Sequence, residues 1–97
     1  MTGYIIWKPS EDEEYTEDLS SIAVTASSVS FDYDDGSDEG DTVRLEDNGD
    51  GQYVGMDGKG YYQYRCIRTG GADNVRVVGD YFGSYEGQFE LVAYKKD

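Results

Sequence analysis

Apolar and polar residues alternate along much of the chain, and a period of two is typical of β-strands with one buried face. Ile22 and Val24 share one parity, whereas Val29 and Phe31 share the other. Because the side chains of a strand point to alternate faces, a change of parity requires a bulge or a tight turn. We therefore expect two strands here, with a break near Ser27.

The same alternation predicts further strands, separated by short segments rich in Gly, Asp and Asn. Val43 and Leu45 share one face of TVRLE, and Tyr62, Tyr64 and Cys66 share one face of YYQYRCIR. The segments DNGDG and DGKG hold residues that tolerate the backbone of tight turns. Six to eight short strands of this kind predict an all-β fold, a small antiparallel sandwich or open barrel, with residues 1–97 forming a single acidic β domain.

One segment near the N-terminus departs from this pattern. After the predicted strand GYIIW, Ser10 and Glu13 have the spacing of a helical capping box. Acidic residues near a helix N-terminus are also favourable. We expect one short helical turn within residues 10–19, with an irregular loop as the alternative because the segment has few apolar anchors.

The last hairpin allows a prediction of register. If Glu86 and Gly87 form a two-residue loop, Phe82 lies opposite Leu91, and one face holds a plausible core stripe. That stripe consists of Val78, Phe82, Phe89, Leu91 and Ala93. A slip of one residue would exchange the two faces, and both faces are apolar enough to leave that alternative open.

The charge of the chain says more about its function than about its fold. The chain has 21 acidic and 8 basic residues and a formal net charge of −13. Residues 1–60 hold 16 acids and 3 bases, so 3 − 16 = −13, and the rest of the chain is neutral overall. Nucleic acid and anionic membranes would repel such a surface, whereas a basic protein would be attracted to it.

The acids form three clusters: SEDEEYTED, FDYDDGSDEGD and EDNGDG. The second has six carboxylates among its eleven residues and no base. A solvated turn explains any one cluster alone, but most surfaces intersperse the two signs of charge. We expect the first two clusters to bind a partner through Glu11, Asp12, Glu13, Glu14, Asp32, Asp34, Asp35, Asp38, Glu39 and Asp41.

The sequence contains few residues of the types that enzymes use for catalysis. The chain has no histidine, so the commonest general base and metal ligand are missing. Cys66 lies within a strand pattern, where a buried inert thiol is expected, and a single cysteine fits a reducing compartment. We expect no enzyme activity and no cofactor. The N-terminal sequence has no basic segment followed by an apolar one, so we also expect a cytoplasmic protein.

One segment resembles a calcium-binding loop. In EDNGDGQYVGMD, Glu46, Asn48 and Asp50 occupy the first, third and fifth places of an EF-hand loop, and Asp57 occupies the twelfth. The first and last places depart from the usual aspartate and glutamate, and the flanks read as strands. A hairpin turn explains the same residues, so no metal site is assigned, although a divalent cation at residues 46–57 or 32–41 stays an open alternative.

Two functions follow from these observations. The first is a non-enzymatic inhibitor that presents a DNA-like carboxylate surface to a basic nucleic-acid-binding effector or nuclease. Its general profile is that of phage-encoded anti-CRISPR or anti-restriction proteins, which act in the host cytoplasm. The chain would be a monomer or small homo-oligomer without direct contact to nucleic acid or membrane.

The alternative is a structural or interaction β domain, such as a virion component, an immunity protein or a housekeeping domain of a halophile. In that case the carboxylates keep the surface hydrated, and the tyrosine-rich faces make the contacts.

Overall fold

A computed structural model describes residues 1–19, 21–33, 41–49, 51–71 and 73–95. Within these residues all regular structure is β-strand, and no helix that could span a membrane is found. There are nine strands: β1 (Thr2–Ser10), β2 (Glu13–Leu19), β3 (Ile22–Val24), β4 (Ser28–Tyr33), β5 (Asp41–Asp47), β6 (Gln52–Asp57), β7 (Tyr62–Gly70), β8 (Asn74–Gly83) and β9 (Gly87–Tyr94).

The strands form one antiparallel sheet in the order β2-β1-β9-β8-β7-β6-β5-β4-β3. From β3 to β9 each strand pairs with the next, which is the simplest way for short hairpins to build a sheet. β1 then pairs with β9 on one side and with β2 on the other. The all-β prediction is confirmed, with more strands than the six to eight expected.

The connections between strands divide between two ends of the sheet. We call the mouth the end that carries the β1–β2, β4–β5, β6–β7 and β8–β9 connections. The base is the opposite end, which carries the β3–β4, β5–β6 and β7–β8 connections. This assignment follows because every two neighbouring strands in the sheet are antiparallel. Successive hairpin connections therefore lie at opposite ends of the sheet.

The sheet curls into a nearly closed barrel that is tighter at the base than at the mouth. Met1, just before β1, and Ile22, at the start of β3, exchange two backbone hydrogen bonds of 2.8 Å. This pair joins the two edges of the sheet near the base. Towards the mouth, β2 and β4 lie near each other without pairing, so the barrel opens between them.

The interior becomes more aromatic along the barrel axis towards the mouth. Near the base and the middle, the buried side chains are mainly aliphatic, with Phe31 and Tyr53 as aromatic members; the aliphatic ones are Ile5, Ile22, Val29, Val43, Leu45, Val75, Val77 and Leu91. Near the mouth, Trp7 packs against Tyr33, Tyr64, Tyr81 and Phe89, with ring centroids 5.5–6.4 Å apart. Burial of each large apolar side chain contributes about 1.5–3 kcal/mol. Because most of the largest fully buried side chains lie near the base and the middle, that part contributes most to stability.

Several predicted elements are confirmed. The parity change near Ser27 is a turn, in which Thr25 and Ser28 are joined by a backbone hydrogen bond of 2.9 Å. Val43 and Leu45 are fully buried on β5, and Cys66 is buried on β7. The β5–β6 hairpin also has the expected glycine backbone, since Gly49 has φ of 106° and Gly51 has φ of 78°.

The helical turn predicted within residues 10–19 is wrong. Ser10 and Glu13 have the capping-box spacing, but they are opposed in the register of an antiparallel hairpin. β2 pairs along β1 and forms an edge of the sheet. It needs few apolar residues to stay in place, because only one of its faces is covered by the rest of the protein. Tertiary pairing has overridden the local helical signal.

The predicted register of the last hairpin is also wrong. Tyr81 pairs with Gly87 and Val77 with Leu91, so the β8–β9 pairing stops at Tyr81, and residues 84–86 connect the two strands in place of the two-residue loop expected. The β9 residues of the predicted stripe are buried, whereas Val78 is 44% exposed and Phe82 is half-buried. The buried residues of β8 are instead Val75, Val77 and Tyr81. Val75 and Val77 join the aliphatic side chains near the base, and Tyr81 joins the aromatic rings at the mouth.

Candidate functional site

Both acidic clusters predicted to bind a partner are attached to the mouth of the barrel. Glu11, Asp12, Glu13 and Glu14 lie at the β1–β2 hairpin, and all four are exposed. The second cluster connects β4 to β5, whose ends are joined by the Tyr33–Asp41 pair. The strand directions therefore place both connections at the same end of the barrel, although the two acidic segments are about twenty residues apart in the chain.

The individual residues of the second cluster differ in their environments. Asp32 is exposed on β4, and its carboxylate accepts a hydrogen bond from the Thr42 hydroxyl. Asp41 is half-buried, and its two oxygens accept the backbone N–H groups of Thr42 (2.8 Å) and Lys59 (3.2 Å). Asp41 thus ties the β4–β5 corner to the β6–β7 turn. Four predicted residues lie outside the described residues: Asp34, Asp35, Asp38 and Glu39.

The third acidic cluster lies at the other end of the barrel. Glu46 and Asp47 end β5 at the base, where Arg44 Nε donates to Glu46 at 2.7 Å. The Asp47 carboxylate accepts the Gly49 N–H at 2.8 Å and so caps the hairpin turn. This cluster has local structural roles and is separated from the mouth by the length of a strand.

A hollow beside the acidic hairpin contains a lysine. Lys8 lines it together with Glu11, Glu13 and Glu14, opposite Gly87 and Gln88 on β9. Lys8 therefore offsets part of the negative charge of this hairpin, and the remaining carboxylates face solvent.

The mouth also holds an aromatic cavity of about 360 Å³. Its walls come from five strands, β1, β2, β4, β7 and β8, and from the β8–β9 connection, and it lies where β2 and β4 separate. The lining residues are Trp7, Pro9, Tyr15, Glu17, Tyr33, Tyr62, Tyr64, Tyr81 and Tyr85. Two of them are largely exposed, Tyr15 at 58% and Tyr85 at 71%, and they form the rim.

A buried carboxylate lies behind these rings. Asp57 is only 3% exposed, and it accepts hydrogen bonds from the Tyr62 N–H (3.0 Å) and the Tyr33 hydroxyl (3.3 Å). Tyr33 in turn shares a side-chain hydrogen bond with Tyr64. Because Asp57 has two donors, its burial leaves no unpaired charge next to the core.

This position of Asp57 argues against the calcium-loop resemblance. Asp57 lies opposite Val43 and faces the interior, whereas Glu46 lies opposite Val54 and is exposed. Three residues of strand separate the two carboxylates, or about 10 Å at about 3.3 Å per residue, and they point to opposite faces. Among the residues that the structure describes, no group of three or more His, Cys, Asp or Glu side chains could hold a metal ion.

Burial keeps the phenols of the cavity protonated. Burial raises the pKa of Tyr64 well above its ordinary value of 10.0, and nearby Tyr33 and Asp57 raise it further. Burial is also the main cause of the raised pKa of Tyr62 and Tyr81. At neutral pH these rings are therefore uncharged, with electron-rich faces and hydroxyl groups that can donate or accept hydrogen bonds.

Cys66 does not contribute to the site. Its Sγ lies 3.4 Å from the Tyr53 carbonyl oxygen inside the barrel, and burial raises the pKa of its thiol to about 12. A thiol of this kind is almost entirely protonated at neutral pH, and the thiolate is the reactive form.

Sequence reasoning identified the acidic part of the mouth and missed its aromatic part. The shared face of Tyr62 and Tyr64 was visible from parity, but Trp7 and Tyr81 join them only through the β1–β9 and β7–β8 pairings. Tyr53, which follows the third acidic cluster in the chain, is only 4% exposed and lies at the base.

Comparison of the chain with protein-family models, with curated proteins and with solved structures finds no match. Function must therefore be inferred from the mouth itself.

Proposed function

We propose that this chain is a non-enzymatic acidic inhibitor, whose mouth binds a basic nucleic-acid-binding effector or nuclease in place of DNA. In its most specific form the proposal is a phage-encoded anti-CRISPR or anti-restriction protein that acts in the host cytoplasm. The observation that carries it is the placement of the exposed acidic β1–β2 hairpin and of Asp32 and Asp41, at the ends of β4 and β5, at the open end of the barrel, beside a cavity with exposed tyrosines.

The charge density of this end is suited to such a partner. Duplex DNA presents one negative charge per about 1.7 Å of axis, and its binding proteins match it with grooves rich in Lys and Arg. The carboxylates at residues 11–14 are exposed on a hairpin whose strand β1 is paired on both sides. β1 pairs with β9 as far as Lys8, so the body of the hairpin is anchored in the sheet and its acidic tip extends beyond β9.

Exposed tyrosines add a second source of affinity. Tyr15 and Tyr85 lie at the rim of the cavity beside the acidic hairpin, and the Tyr15 hydroxyl donates to Glu13 at 2.9 Å. Tyrosines contribute large apolar contacts with few rotatable bonds, so they often dominate the energy of protein interfaces. The carboxylates would then steer association and set specificity, and the rings would slow dissociation.

Displacement of DNA from basic effectors tests the proposal. Labelled duplex DNA is bound to a restriction endonuclease and, separately, to a guide-loaded CRISPR effector, and release is followed by fluorescence anisotropy. We expect the chain to release the duplex from at least one effector, and less effectively as salt rises.

Two triple variants with matched charge make this test specific. Glu11, Asp12 and Glu14 are changed to Lys at the mouth, and Asp18, Glu46 and Asp73 are changed to Lys elsewhere. Each set changes the net charge by 3 × 2 = +6, from −13 to −7. We expect only the mouth variant to lose inhibition, and equal inhibition by both variants, or none by the parent chain, contradicts the proposal.

The alternative, a structural or interaction domain, is favoured by one observation on the outer face of the sheet. Ile67 and Val78 are paired there and are 57% and 44% exposed, with Val54 and Met56 on the neighbouring strand also exposed. If this face makes the contacts, Ile67→Ser with Val78→Ser should abolish assembly without affecting DNA release. Self-association measured by analytical ultracentrifugation checks this.

A further inference from the structure

We infer that the aromatic cavity at the mouth binds the guanidinium group of an arginine side chain. The inference rests on the proposed function and deepens it, because it names the chemical group of the basic partner that the cavity takes.

The electrostatics of the lining favours a cation. The faces of tryptophan and tyrosine rings attract cations within about 6 Å of the ring centroid, most strongly where water is excluded. Trp7 packs against Tyr33 at 5.8 Å and Tyr81 at 5.5 Å, centroid to centroid, and all three residues line the cavity. Glu17 is part of the lining, and the Asp57 carboxylate lies behind Tyr33.

The chain itself stacks arginines on aromatic rings elsewhere. At the base, the Arg68 guanidinium lies 5.7 Å from the Tyr53 ring centroid and donates to the Thr25 carbonyl oxygen at 2.6 Å. It also donates to the Tyr53 hydroxyl at 3.1 Å, so this arginine closes the base of the barrel. The base therefore shows the arrangement that we propose for the mouth, with the arginine supplied by the chain.

None of the chain's own arginines can occupy the mouth. There are four, and all lie in described parts of the sheet: Arg44 pairs with Glu46, Arg65 lies over Phe82, Arg68 lies over Tyr53 and Arg76 pairs with Glu90. The residues that line the cavity include no lysine either. The described residues that line the cavity thus supply aromatic rings and a carboxylate but no Arg or Lys, and we propose that a partner supplies the arginine.

The size and shape of the cavity favour arginine over other cations. At about 360 Å³ it is near the lower limit of ligand pockets, about 300–1,000 Å³, which suits one side chain better than a nucleotide-sized ligand. A guanidinium is planar and weakly hydrated, so it stacks on rings while its N–H groups reach hydroxyl and carboxylate oxygens. A lysine ammonium is more strongly hydrated and cannot stack in this way.

The single tryptophan provides a direct probe of occupancy. Trp7 is the only tryptophan of the chain and lies in the cavity, so binding there should change its fluorescence and the chemical shift of its indole proton. The protein is titrated with N-acetyl-arginine amide and with the citrulline analogue, which has a similar shape and no charge. We expect saturable binding of the arginine compound with a dissociation constant on the order of 1 mM, weaker binding of the lysine analogue, and no saturation with citrulline.

Substitutions on the cavity rim provide matched controls. Glu17→Gln and Tyr85→Ala should each weaken arginine binding several-fold. Tyr61→Ala should leave it unchanged, because Tyr61 is 63% exposed and does not line the cavity. Thermal unfolding of each variant verifies the fold. Equal responses to arginine and citrulline, no saturable response by either probe, or equal loss in the Tyr61 variant would overturn the inference.

The outcomes separate this inference from the proposed function. The Glu11, Asp12 and Glu14 charge reversals should reduce DNA displacement while arginine binding to the cavity persists. If the cavity binds no arginine but those reversals still abolish inhibition, the inference fails and the proposed function stands. If the cavity binds arginine but no effector is inhibited, the proposed function fails.

Discussion

The two ends of the barrel differ in how the interior is filled and in how the sheet is closed. At the base, aliphatic side chains fill the interior, Met1 pairs with Ile22, and Arg68 stacks on Tyr53. At the mouth, the sheet opens between β2 and β4, and aromatic rings surround a cavity instead of filling it. The base is thus built for stability, and the mouth keeps a solvent-accessible site.

Charge follows the same division. The basic residues Arg44, Arg68 and Arg76 lie toward the base or middle of the sheet and pair with groups of the chain itself. At the acidic hairpin of the mouth, Lys8 lines a hollow together with Glu11, Glu13 and Glu14. A concentration of acids is better explained by a partner than by stability, since self-repulsion opposes folding.

The largest expected decrease in the free energy of unfolding comes from a substitution in the base half. Leu91 is fully buried opposite Val77 and Ile5, so Leu91→Ala should decrease the free energy of unfolding by about 2–5 kcal/mol. Tyr85→Ala at the rim should change it by less than about 0.5 kcal/mol. Urea denaturation measures both, and equal losses would contradict a stability that resides mainly in the base half.

The arginine at the base should matter less than the aliphatic core but more than a surface ion pair. Arg68→Ala removes a charged donor to the Thr25 carbonyl and to the Tyr53 hydroxyl, and we expect a loss of about 2 kcal/mol. Arg44→Ala removes an exposed pair with Glu46, for which about 0–1 kcal/mol is expected. If the two variants were equally stable, Arg68 would not close the base.

Alkaline pH should weaken the folded state through groups in both halves. Cys66 has an ordinary pKa of 9.0 that folding raises to about 12, so above pH 9 the unfolded chain loses a proton that the folded chain keeps. Stability is therefore fully present below pH 9 and falls as pH rises, with a slope of about 1.4 kcal/mol per pH unit for each retained proton.

Substitution separates the cysteine from the tyrosines in this decline. Cys66→Ala should shift its onset upward, to the range above the ordinary tyrosine value of 10.0 where Tyr64 then dominates. Denaturant titrations between pH 7 and 11 check the sign, and stability that rises across this range would contradict the burial of both groups.

The smallest expected effect on stability is at the acidic hairpin. Because Glu11, Asp12 and Glu14 are exposed, their reversal to Lys should change the free energy of unfolding by less than about 0.5 kcal/mol, or increase it slightly by relief of repulsion. A loss of several kcal/mol in thermal or urea unfolding would mean that these carboxylates stabilise the fold and are not reserved for a partner.

The sequence allowed the strand content and most turns to be predicted, because parity and glycine-rich segments are local signals. The change of parity near Ser27 and the burial of Val43 and Leu45 are examples. The register of β8 against β9 was not predictable from an assumed loop at Glu86 and Gly87. Both faces of that hairpin are apolar, so its local sequence does not determine which face is buried. In the structure the buried face is the one whose rings, Tyr81 and Phe89, contact Trp7 on β1.

The acidic segments of the candidate site could be read from the sequence, whereas its cluster of aromatic rings could not. Two acidic segments can be read directly from the composition, but their attachment to one end requires the strand order. The cavity depends on Trp7, Tyr33 and Tyr81, which are far apart in the chain and meet only in the closed sheet. Long-range pairing of this kind leaves no local signal in a single sequence.

The most direct test of the central claim is the salt dependence of binding to an inhibited effector. The slope of log Kd against log salt concentration reports how many charge contacts are formed. We expect this slope to decrease clearly when Glu11, Asp12 and Glu14 are reversed, and to remain near the parent value when Asp18, Glu46 and Asp73 are reversed. Equal slopes for the two variants would show that net charge, and not the mouth, determines binding.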